Sequence, residues 1–283
     1  MFEVREPFSP EIHTLFKSYD YQVSVSSVLH GNLQGTVFVD DPSKPRTGIM
    51  MNPEELFIAG NPENHAFNKQ LHTYLEKLIK KGVPIRDTDD LWFYIDHHQW
   101  ENQFPGLFTS ITPFRLGRLH FSIKLPARDW RNLLPKGYQI YRADEDLDCS
   151  AFYFPEDIRE WVEGNLAEYL KRGFGAVLTC RDNVVSWCTA DCAYEDRCEI
   201  GIITTKDERR EGLGSLTVLA ALDFCYKSGF SEVGWHTGAC NLGSIATAKK
   251  AGFKKQTEYY AWVCKRNNEQ QIKESELAKK NYL

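Results

Sequence analysis

The chain has 283 residues, which is long for one domain and comfortable for two. With 42% hydrophobic and 26% charged residues it has the composition of a globular protein that buries a sizeable core. Its net charge of −5 argues against a general nucleic-acid binder, and no apolar run is long enough to span a bilayer. The opening MFEVREPFSPEIH lacks the basic start and apolar block of a secretory signal, so we expect a cytoplasmic protein.

All eight cysteines lie in the second half of the chain, and none forms a CxxC pair. A zinc site would need close pairs with matching partners. Most of the cysteines stand inside apolar runs, as reduced thiols in a core do. We therefore expect no metal. The eight are Cys149, Cys180, Cys188, Cys192, Cys198, Cys225, Cys240 and Cys264.

The first half, from Ser24 to Pro126, reads as strand-rich with helices between the strands. VSSVLHGNLQGTVFVDD predicts two strands around an Asn/Gly turn, and MMNPEELFIAG predicts another strand. From Asn64 to Lys81 apolar residues recur at helical spacing, and Gly82 is expected to end that helix. DDLWFYIDHHQWENQF predicts a strand that gives way to polar residues.

Asp96, His97 and His98 resemble a metal cluster at first sight. Neighbouring side chains on a strand point to opposite faces, however, and the spacing is not HExxH. A wall of an acceptor pocket, or plain surface, is the favoured interpretation.

A domain boundary is expected near residue 126, in the proline-containing segment LPARDWRNLLPKGYQIYRA, which divides the chain into domains 1–125 and 126–283. The second domain is predicted to alternate strands and helices. In order these are a helix PEDIREWVEGNLAEYLKRG, a hairpin GFGAVLTCRDNVVSWCTADCAY turned at Asp182–Asn183, a strand CEIGIITT, a helix SLTVLAALDFCYKSG, a strand EVGWHT, a helix NLGSIATAKKAG and a strand EYYAWVCKR.

The loop ERREGLGS lies between a predicted strand and a predicted helix of this second domain. Backbone N–H groups and a helix N-terminus bind anions at such a place. The loop lacks the Gly-Lys-Ser/Thr ending of a P-loop, and Thr217 stands where a dinucleotide fingerprint needs its third glycine. What remains is Arg-x-x-Gly-x-Gly, formed by Arg209, Gly212 and Gly214.

Downstream, Asn241-x-x-Ser244 opens a helix that ends in Ala-Gly-Phe at 251–253. The strand CEIGIITT, the loop that follows it and this downstream helix occur in an order that resembles the GNAT superfamily of acyl-CoA-dependent N-acyltransferases. The resemblance covers Gly175 to Lys265. The segment WHTGACNLGSIATAKKAGF looks most like the subgroup that includes zwittermicin A resistance proteins. The resemblance implies a mixed α/β fold, with a GNAT-like C-terminal half and a degenerate GNAT-like half in residues 1–125. That first half would have an acceptor-pocket or structural role.

The resemblance also implies a site for acetyl-CoA. Main-chain amides of the loop would hold the pyrophosphate, the strand before the loop would bond the pantetheine arm, and two polar residues would add contacts. The residues so implied are Ile202, Ile203, Thr204, Arg209, Arg210, Glu211, Gly212, Leu213, Gly214, Ser215, Asn241 and Ser244.

The activity implied is transfer of the acetyl group to a primary amine of a small molecule, by direct attack in a ternary complex. An alkylamine has a pKa near 10, so a base that removes its proton is useful. Glu199 matches the family's catalytic glutamate; the alternative is a strand-end carboxylate. Ala248 occupies the family's tyrosine position, which leaves the general acid open.

Substitutes for that tyrosine are Tyr259, Tyr260 and His236, although core packing or substrate contact is favoured for each. A covalent route through Cys240 is disfavoured, because no paired histidine and acid are evident. Two other functions stay open: a non-catalytic acyl-CoA-binding or regulatory module, and an acyltransferase with another donor or a hydroxyl acceptor. We expect one coenzyme site per chain, neither nucleic acid nor membrane as a partner, and leave the oligomeric state open.

Overall fold

The computed structural model describes residues 1–81, 90–161, 170 and 173–265. They form a mixed α/β structure, as predicted. The chain divides into two compact units, one comprising Met1–Arg118 with Tyr259–Leu283 and the other Leu119–Glu258. These bounds differ from the predicted domains mainly at the C-terminus, since residues from Tyr259 onward belong to the first unit. The roles expected of the two halves stay predictions.

The described residues contain twelve strands and seven α-helices. The strands are β1 Phe2–Val4, β2 Thr36–Val39, β3 Thr47–Met51, β4 Leu56–Gly60, β5 Asp90–Ile95, β6 Phe114–Lys124, β7 Tyr138–Ala143, β8 Phe174–Cys180, β9 Asn183–Tyr194, β10 Arg197–Thr204, β11 Glu232–Gly238 and β12 Lys254–Lys265. The helices are α1 Pro10–Leu15, α2 Val23–Leu29, α3 His65–Lys81, α4 Trp100–Gln103, α5 Glu156–Trp161, α6 Leu213–Lys227 and α7 Leu242–Ala251.

In the first unit the strands follow the order β1-β2-β3-β4-β5-β12. Neighbours are antiparallel except β4 and β5, which run parallel with Leu56 opposite Phe93. Helix α3 buries the apolar stripe that its sequence predicted, with Phe67, Leu71 and Leu75 in a core with Trp100. The predicted helix end at Gly82 lies outside the described residues.

The second unit places its strands in the order β6-β11-β10-β9-β8-β7. Strands β7, β8, β9 and β10 pair with one another in antiparallel fashion, and β11 runs parallel to β10. Helix α6 is buried along ten of its residues, because its sequence is apolar on almost every face. Its Leu219 shares a core with Trp235 of β11 and Phe253 after α7. Most of the helix predicted after Pro155 lies outside the described residues.

The two units repeat one order of elements. Each begins with a strand (β1 or β7) and a helical segment, followed by three strands that pair antiparallel (β2–β4 or β8–β10). A long helix (α3 or α6) then leads to a strand that runs parallel to the third of these strands (β5 or β11). A shorter helix (α4 or α7) and a last strand (β6 or β12) complete the order. This repetition supports the prediction that the N-terminal half is a degenerate copy of the C-terminal one. Within the described ranges, no helix has both the length and the hydrophobicity to cross a membrane.

Two local predictions were wrong. The stretch from Val25 to Leu29, predicted as the first strand of a hairpin, lies in helix α2 (Val23–Leu29), every residue of which is buried. Because its serines are buried as well as its apolar residues, the sequence has no polar face that would mark a helix. The hairpin turns at Arg181–Asp182, since Cys180 pairs with Asn183 and Arg181 takes a positive φ of 53°. Strand β7 lies at the end of the segment in which the domain boundary was expected.

The carboxylate of Glu76 ties α3 to the chain that follows α4. The residue is buried, and its Oε1 accepts hydrogen bonds from the backbone N–H groups of Thr109 at 2.7 Å and Ser110 at 3.1 Å. Burial raises the pKa of Glu76, but the hydrogen bonds from Thr109 and Ser110 outweigh burial and hold that pKa at about 2. The ionised form is therefore the one that stabilises the fold.

We predict that Glu76→Gln lowers the free energy of unfolding by about 1–2 kcal/mol at pH 7, because two hydrogen bonds to a charge are weakened. The pKa of Glu76 is lowered on folding, so the advantage of the wild type is complete above pH 4.5 and declines as the pH falls toward 2. Urea unfolding at pH 7 and pH 4 measures it, with exposed Glu63→Gln as the control. An equal loss at both pH values in both variants would contradict the assignment.

Candidate active site

The parallel pairing of β10 with β11 is short and ends at Glu199. Only Arg197–Glu199 of β10 pair with Glu232–Gly234 of β11. At the same place the pairing of β10 with β9 shifts register, as Glu199 faces Cys192 and Ile200 faces Ala190. Bulges of this kind commonly lie beside active sites, where they redirect a side chain or end a pairing.

Beyond Glu199, strand β10 is bonded along one edge only. Residues Ile200 to Thr204 continue their pairing with β9, whereas no described strand pairs with their other edge. The sequence-predicted residues Ile202, Ile203 and Thr204 are half-buried in this stretch. Main-chain groups on such an edge can bind an extended ligand as if it were another strand.

The carboxylate of Glu199 lies where the pairing ends and contacts a histidine. Its Oε1 is 3.0 Å from Nε2 of His236 on β11. The exposed fractions of the two side chains are 15% and 11%. The ring of His120 on β6 stacks on that of His236, with 4.5 Å between centroids and 11° between planes. Gly234 makes room for this group, since a Cβ there would lie 3.0 Å from Cγ of Glu199.

The loop and the start of α6 present backbone N–H groups without a side-chain cap. The N-cap residue is Gly212, at a φ of 83°, and no described side chain caps the helix there. Arg210 also has a positive φ of 73°. Positive φ values at alternate residues turn successive backbone N–H groups toward one side, which makes an anion-binding concavity. Leu213 and Ser215 are buried, so their main-chain amides rather than their side chains would meet a ligand.

Two of the predicted loop residues also have structural contacts. Nε of Arg209 donates to the carbonyl of Thr204 at 2.9 Å, which fixes the loop to the end of β10. A Cβ on Gly214 would lie 2.8 Å from Oγ1 of Thr204, so glycine permits α6 to approach the strand. Arg209, Arg210 and Glu211 are exposed, which places two positive charges and one negative charge on the loop.

Asn241 and Ser244 hold the start of α7. Oδ1 of Asn241 accepts a hydrogen bond from the N–H of Ser244 at 3.1 Å and so caps the helix. The hydroxyl of Ser244 accepts a hydrogen bond from Nε1 of Trp235 at 3.1 Å. Ala248, at the family's tyrosine position, is fully buried in the core.

The sequence did not lead to Lys250, to the contact of Glu199 with His236 or to the stacking of His236 on His120. Lys250 lies on α7, and a Cβ on Gly212 would be 2.6 Å from its ammonium nitrogen. A lysine is thus placed at the positive end of a 15-residue helix, where an anion rather than a cation is favoured. Lys250 lies nine residues after Asn241 and therefore on the last turn of a helix that the sequence predicted. This position was the signal in the sequence that could have identified Lys250.

The corresponding positions of the first unit are occupied by its own side chains. Oδ1 of Asn64 accepts from the N–H of Phe67 and caps α3. The carboxylate of Asp96 accepts from the N–H of Gly60 at 2.7 Å, and the ring nitrogens of His97 and Trp100 contact the Gly60 carbonyl at 2.9 and 3.0 Å. One N–H at the start of α3 is therefore capped by a side chain of the unit itself, and the carboxylate of Asp40 accepts from Nδ2 of that Asn64 at 2.9 Å.

These contacts also account for the sequence run Asp96-His97-His98. Two of its three side chains position Gly60, and among the described residues no group of three or more metal-binding side chains comes together. The thiol of Cys240 is exposed, whereas Tyr260 lies 47% exposed under the guanidinium of Arg115 at 4.0 Å.

Comparison with known proteins identifies the family of the chain. A family profile described as GNAT acetyltransferase matches residues 13–262. An uncharacterized N-acetyltransferase of Bacillus subtilis, YdfB, is 28% identical over 251 residues, which cover 88% of this chain and 92% of that protein.

Solved structures show the same fold at lower identity. A GCN5-related N-acetyltransferase-like protein from Streptococcus suis superposes with a TM-score of 0.66 at 21% identity, covering 90% of this chain and 97% of that one. A tandem GNAT protein from the clavulanic acid biosynthesis pathway superposes with a TM-score of 0.53 at 11% identity, covering 87% and 88%. At such identities the likeness concerns the fold.

Proposed function

Because the chain belongs to the GNAT acetyltransferase family, and is thus an acetyltransferase, we propose that it moves the acetyl group of acetyl-CoA to a primary amine of a small molecule. Transfer takes place by direct attack while both substrates are bound. One observation carries the proposal: the unpaired edge of β10 joins Glu199 at one end to the uncapped start of α6 at the other. Eight free thiols suit the reducing cytoplasm, where we place the reaction.

The coenzyme would lie along β10 with its phosphates at the loop. Amides from Arg209 to Ser215 would bind the pyrophosphate, and Lys250 would add a positive charge to those of Arg209 and Arg210. The pantetheine arm would form hydrogen bonds with the main chain of Ile202, Ile203 and Thr204. Asn241 would contribute its side-chain NH2 group, since Oδ1 is the atom that caps α7.

The reaction needs a neutral amine and a polarised thioester carbonyl. The amine gives up one proton with the help of Glu199, directly or through water, and its lone pair attacks the carbonyl carbon. A main-chain N–H of the β10 edge stabilises the negative charge on the carbonyl oxygen. The carbon–nitrogen bond forms, the carbon–sulfur bond breaks, and the second proton of the nitrogen passes to the departing thiolate.

The long helices α3 and α6 differ at their N-termini, and this difference supports a stoichiometry of one coenzyme per chain. The start of α6 has no described side-chain cap, whereas that of α3 is capped by Asn64, whose Nδ2 donates to the carboxylate of Asp40 at 2.9 Å. A phosphate would be repelled there. We assign residues 1–125 a role in structure or acceptor choice. The name of the tandem GNAT neighbour, and the zwittermicin A resistance likeness of the sequence around Asn241, support a paired fold acting on a small molecule.

The test is release of free thiol from acetyl-CoA by the purified protein with a panel of primary amines and matched alcohols. We expect turnover with amines. Binding of acetyl-CoA without turnover on any amine would favour a non-catalytic acyl-CoA-binding module, and turnover on the alcohols alone would favour a hydroxyl acceptor. A panel of longer acyl-CoA thioesters decides the donor.

We predict that Glu199→Gln lowers turnover by roughly 10²-fold near pH 7, with a smaller loss at high pH where the amine loses its proton unaided. The matched control is Glu195→Gln, an exposed carboxylate in the turn before β10. Steady-state rates from pH 6 to 10 measure the effect. Wild-type rates in Glu199→Gln at every pH would remove this residue from the mechanism.

We predict that Gly212→Asp weakens acetyl-CoA binding by at least about 10-fold, because it sets a carboxylate at the uncapped amides and against the pyrophosphate. Gly212→Asn is the control, since asparagine has the same shape, tolerates the positive φ and is neutral. Calorimetry should give one acetyl-CoA per wild-type chain. Equal affinities in the two variants, or two equivalents per chain, would place the coenzyme elsewhere.

We predict that Lys250→Ala weakens acetyl-CoA binding roughly 10-fold and that its deficit shrinks as salt is added, because a phosphate contact is screened. Its neighbour Lys249 is exposed on the same turn of α7, which makes Lys249→Ala the control. Calorimetric titrations at two salt concentrations compare the variants. Identical affinities for the two would show that Lys250 does not reach the coenzyme.

A further inference from the structure

A carboxylate of the first unit has the register that Glu199 has in the second. The pairing of β4 with β5 places Glu55, the residue before β4, level with Trp92. Oε1 of Glu55 accepts a hydrogen bond at 2.9 Å from the hydroxyl of Tyr94, two residues further along β5. Glu199 likewise contacts the residue two beyond its own pairing partner. The repeated fold has thus kept an acid at the same level of its sheet.

The strands around this acid differ from those around Glu199. Leu56–Ile58 of β4 stay paired with Phe93–Ile95 of β5 directly after Glu55, whereas β10 parts from β11 at Glu199. Among the described strands of the first unit, a thioester therefore has no separated edge to lie along beside Glu55. The acid was kept without the edge that acyl transfer uses, which favours binding over catalysis in this unit.

A positive charge belongs to the same region of the first unit. The guanidinium carbon of Arg118, on β6, lies 5.2 Å from the ring centroid of Trp92, and the guanidinium makes a hydrogen-bonding contact with the hydroxyl of Tyr259. No described residue accepts a hydrogen bond from its buried Nε. Burial lowers the pKa of Arg118, but Tyr94, Tyr259 and Glu55 outweigh burial and raise it, so the guanidinium stays charged.

Three tyrosine rings join the two charged groups into one cluster. The ring centroid of Tyr259 lies 5.8 Å from that of Tyr94 and 5.5 Å from that of Tyr21. Tyr94 in turn contacts Glu55, and Tyr259 contacts Arg118. Tyr94 is buried and the other four side chains are half-buried, so the cluster extends from the core to the surface. It presents one positive and one negative charge among aromatic rings.

We propose that this cluster binds a free α-amino acid as a zwitterion, with the ligand carboxylate on the guanidinium of Arg118 and the ligand ammonium on the carboxylate of Glu55. A guanidinium matches a carboxylate with paired N–H donors, and aromatic rings beside an acid favour an ammonium. A zwitterion leaves the cluster without net charge, whereas a simple carboxylate or amine adds an uncompensated one. The binding needs neither acetyl-CoA nor Glu199, so it is independent of the proposed function.

The test is calorimetric titration of the full chain with each proteinogenic L-amino acid in the absence of acetyl-CoA. The tightest ligand is then compared with two analogues, one that lacks its ammonium group and one that lacks its carboxylate. We expect either analogue to bind roughly 10-fold more weakly or worse, because hydrogen bonds to a charged group are lost. Failure of every amino acid to bind, or an analogue that binds as well as the amino acid, overturns the proposal.

Variants locate the ligand. We expect Arg118→Met to weaken binding roughly 10- to 100-fold, because it removes the charge and keeps an unbranched stem beside Trp92. The matched control is Arg115→Met, since Arg115 also lies on β6 with its guanidinium over an aromatic ring, that of Tyr260 at 4.0 Å. Its affinity should equal that of the wild type. Equal affinities in the two variants would place the ligand elsewhere, and a cooperative thermal transition shows that each is folded.

Glu55→Gln decides the question even if Arg118→Met does not fold, because glutamine keeps an oxygen that can accept from the Tyr94 hydroxyl. We expect its affinity for the amino acid to fall roughly 10-fold, while its affinity for the analogue without an ammonium group does not fall. A parallel loss for both ligands would show a merely structural role and refute the assignment. Release of thiol from acetyl-CoA is measured separately, so failure of acetyl transfer and failure of amino-acid binding are told apart.

Discussion

The early end of the pairing between β10 and β11 is the constraint on which the candidate site depends. Because the parallel ladder stops at Glu199 and Gly234, the main chain of Ile200–Thr204 keeps one edge for a ligand. The same stop lets Glu199 reach across to His236. Glycine at 234 is part of the constraint, since a Cβ there would lie 3.0 Å from the Glu199 side chain. The open edge of β10 and the contact of Glu199 with His236 thus share one structural cause.

The repeated order of elements allows the starts of the two long helices, α3 and α6, to be compared. A helix start has N–H groups that need acceptors. In the first unit Oδ1 of Asn64 supplies one, and a capping side chain stabilises a helix by about 1 kcal/mol. In the second unit Gly212 supplies none, and Lys250 lies near the helix start instead. The start of α6 lacks a described side-chain cap and has a lysine beside it, which is unfavourable unless an anion is bound. We therefore expect a ligand to supply the hydrogen-bond acceptor for these N–H groups.

Sequence alone could predict the parts of the structure that carry local signals. The stripe of α3, the strand–loop–helix around Gly212 and the cap at Asn241 were predictable because each depends on neighbours in the chain. The contact of His236 with His120 was not, since the two residues lie far apart in sequence and meet only through the sheet. Helix α2 was mispredicted because its serines are buried together with its apolar residues, so its sequence has no polar face to mark a helical period.

The geometry of β10 also restricts what kind of donor can serve the site. Thr204 lies five residue steps after Glu199, and at about 3.3 Å per residue the strand spans roughly 17 Å from Glu199 to the end that leads into the loop. A donor held by its phosphates at Gly212 can present an acyl group beside Glu199 only through an arm of comparable length. A short acyl phosphate would leave its carbonyl at the loop, far from His236. An extended thioester carrier satisfies both ends at once, and its arm can exchange hydrogen bonds with the intervening strand edge.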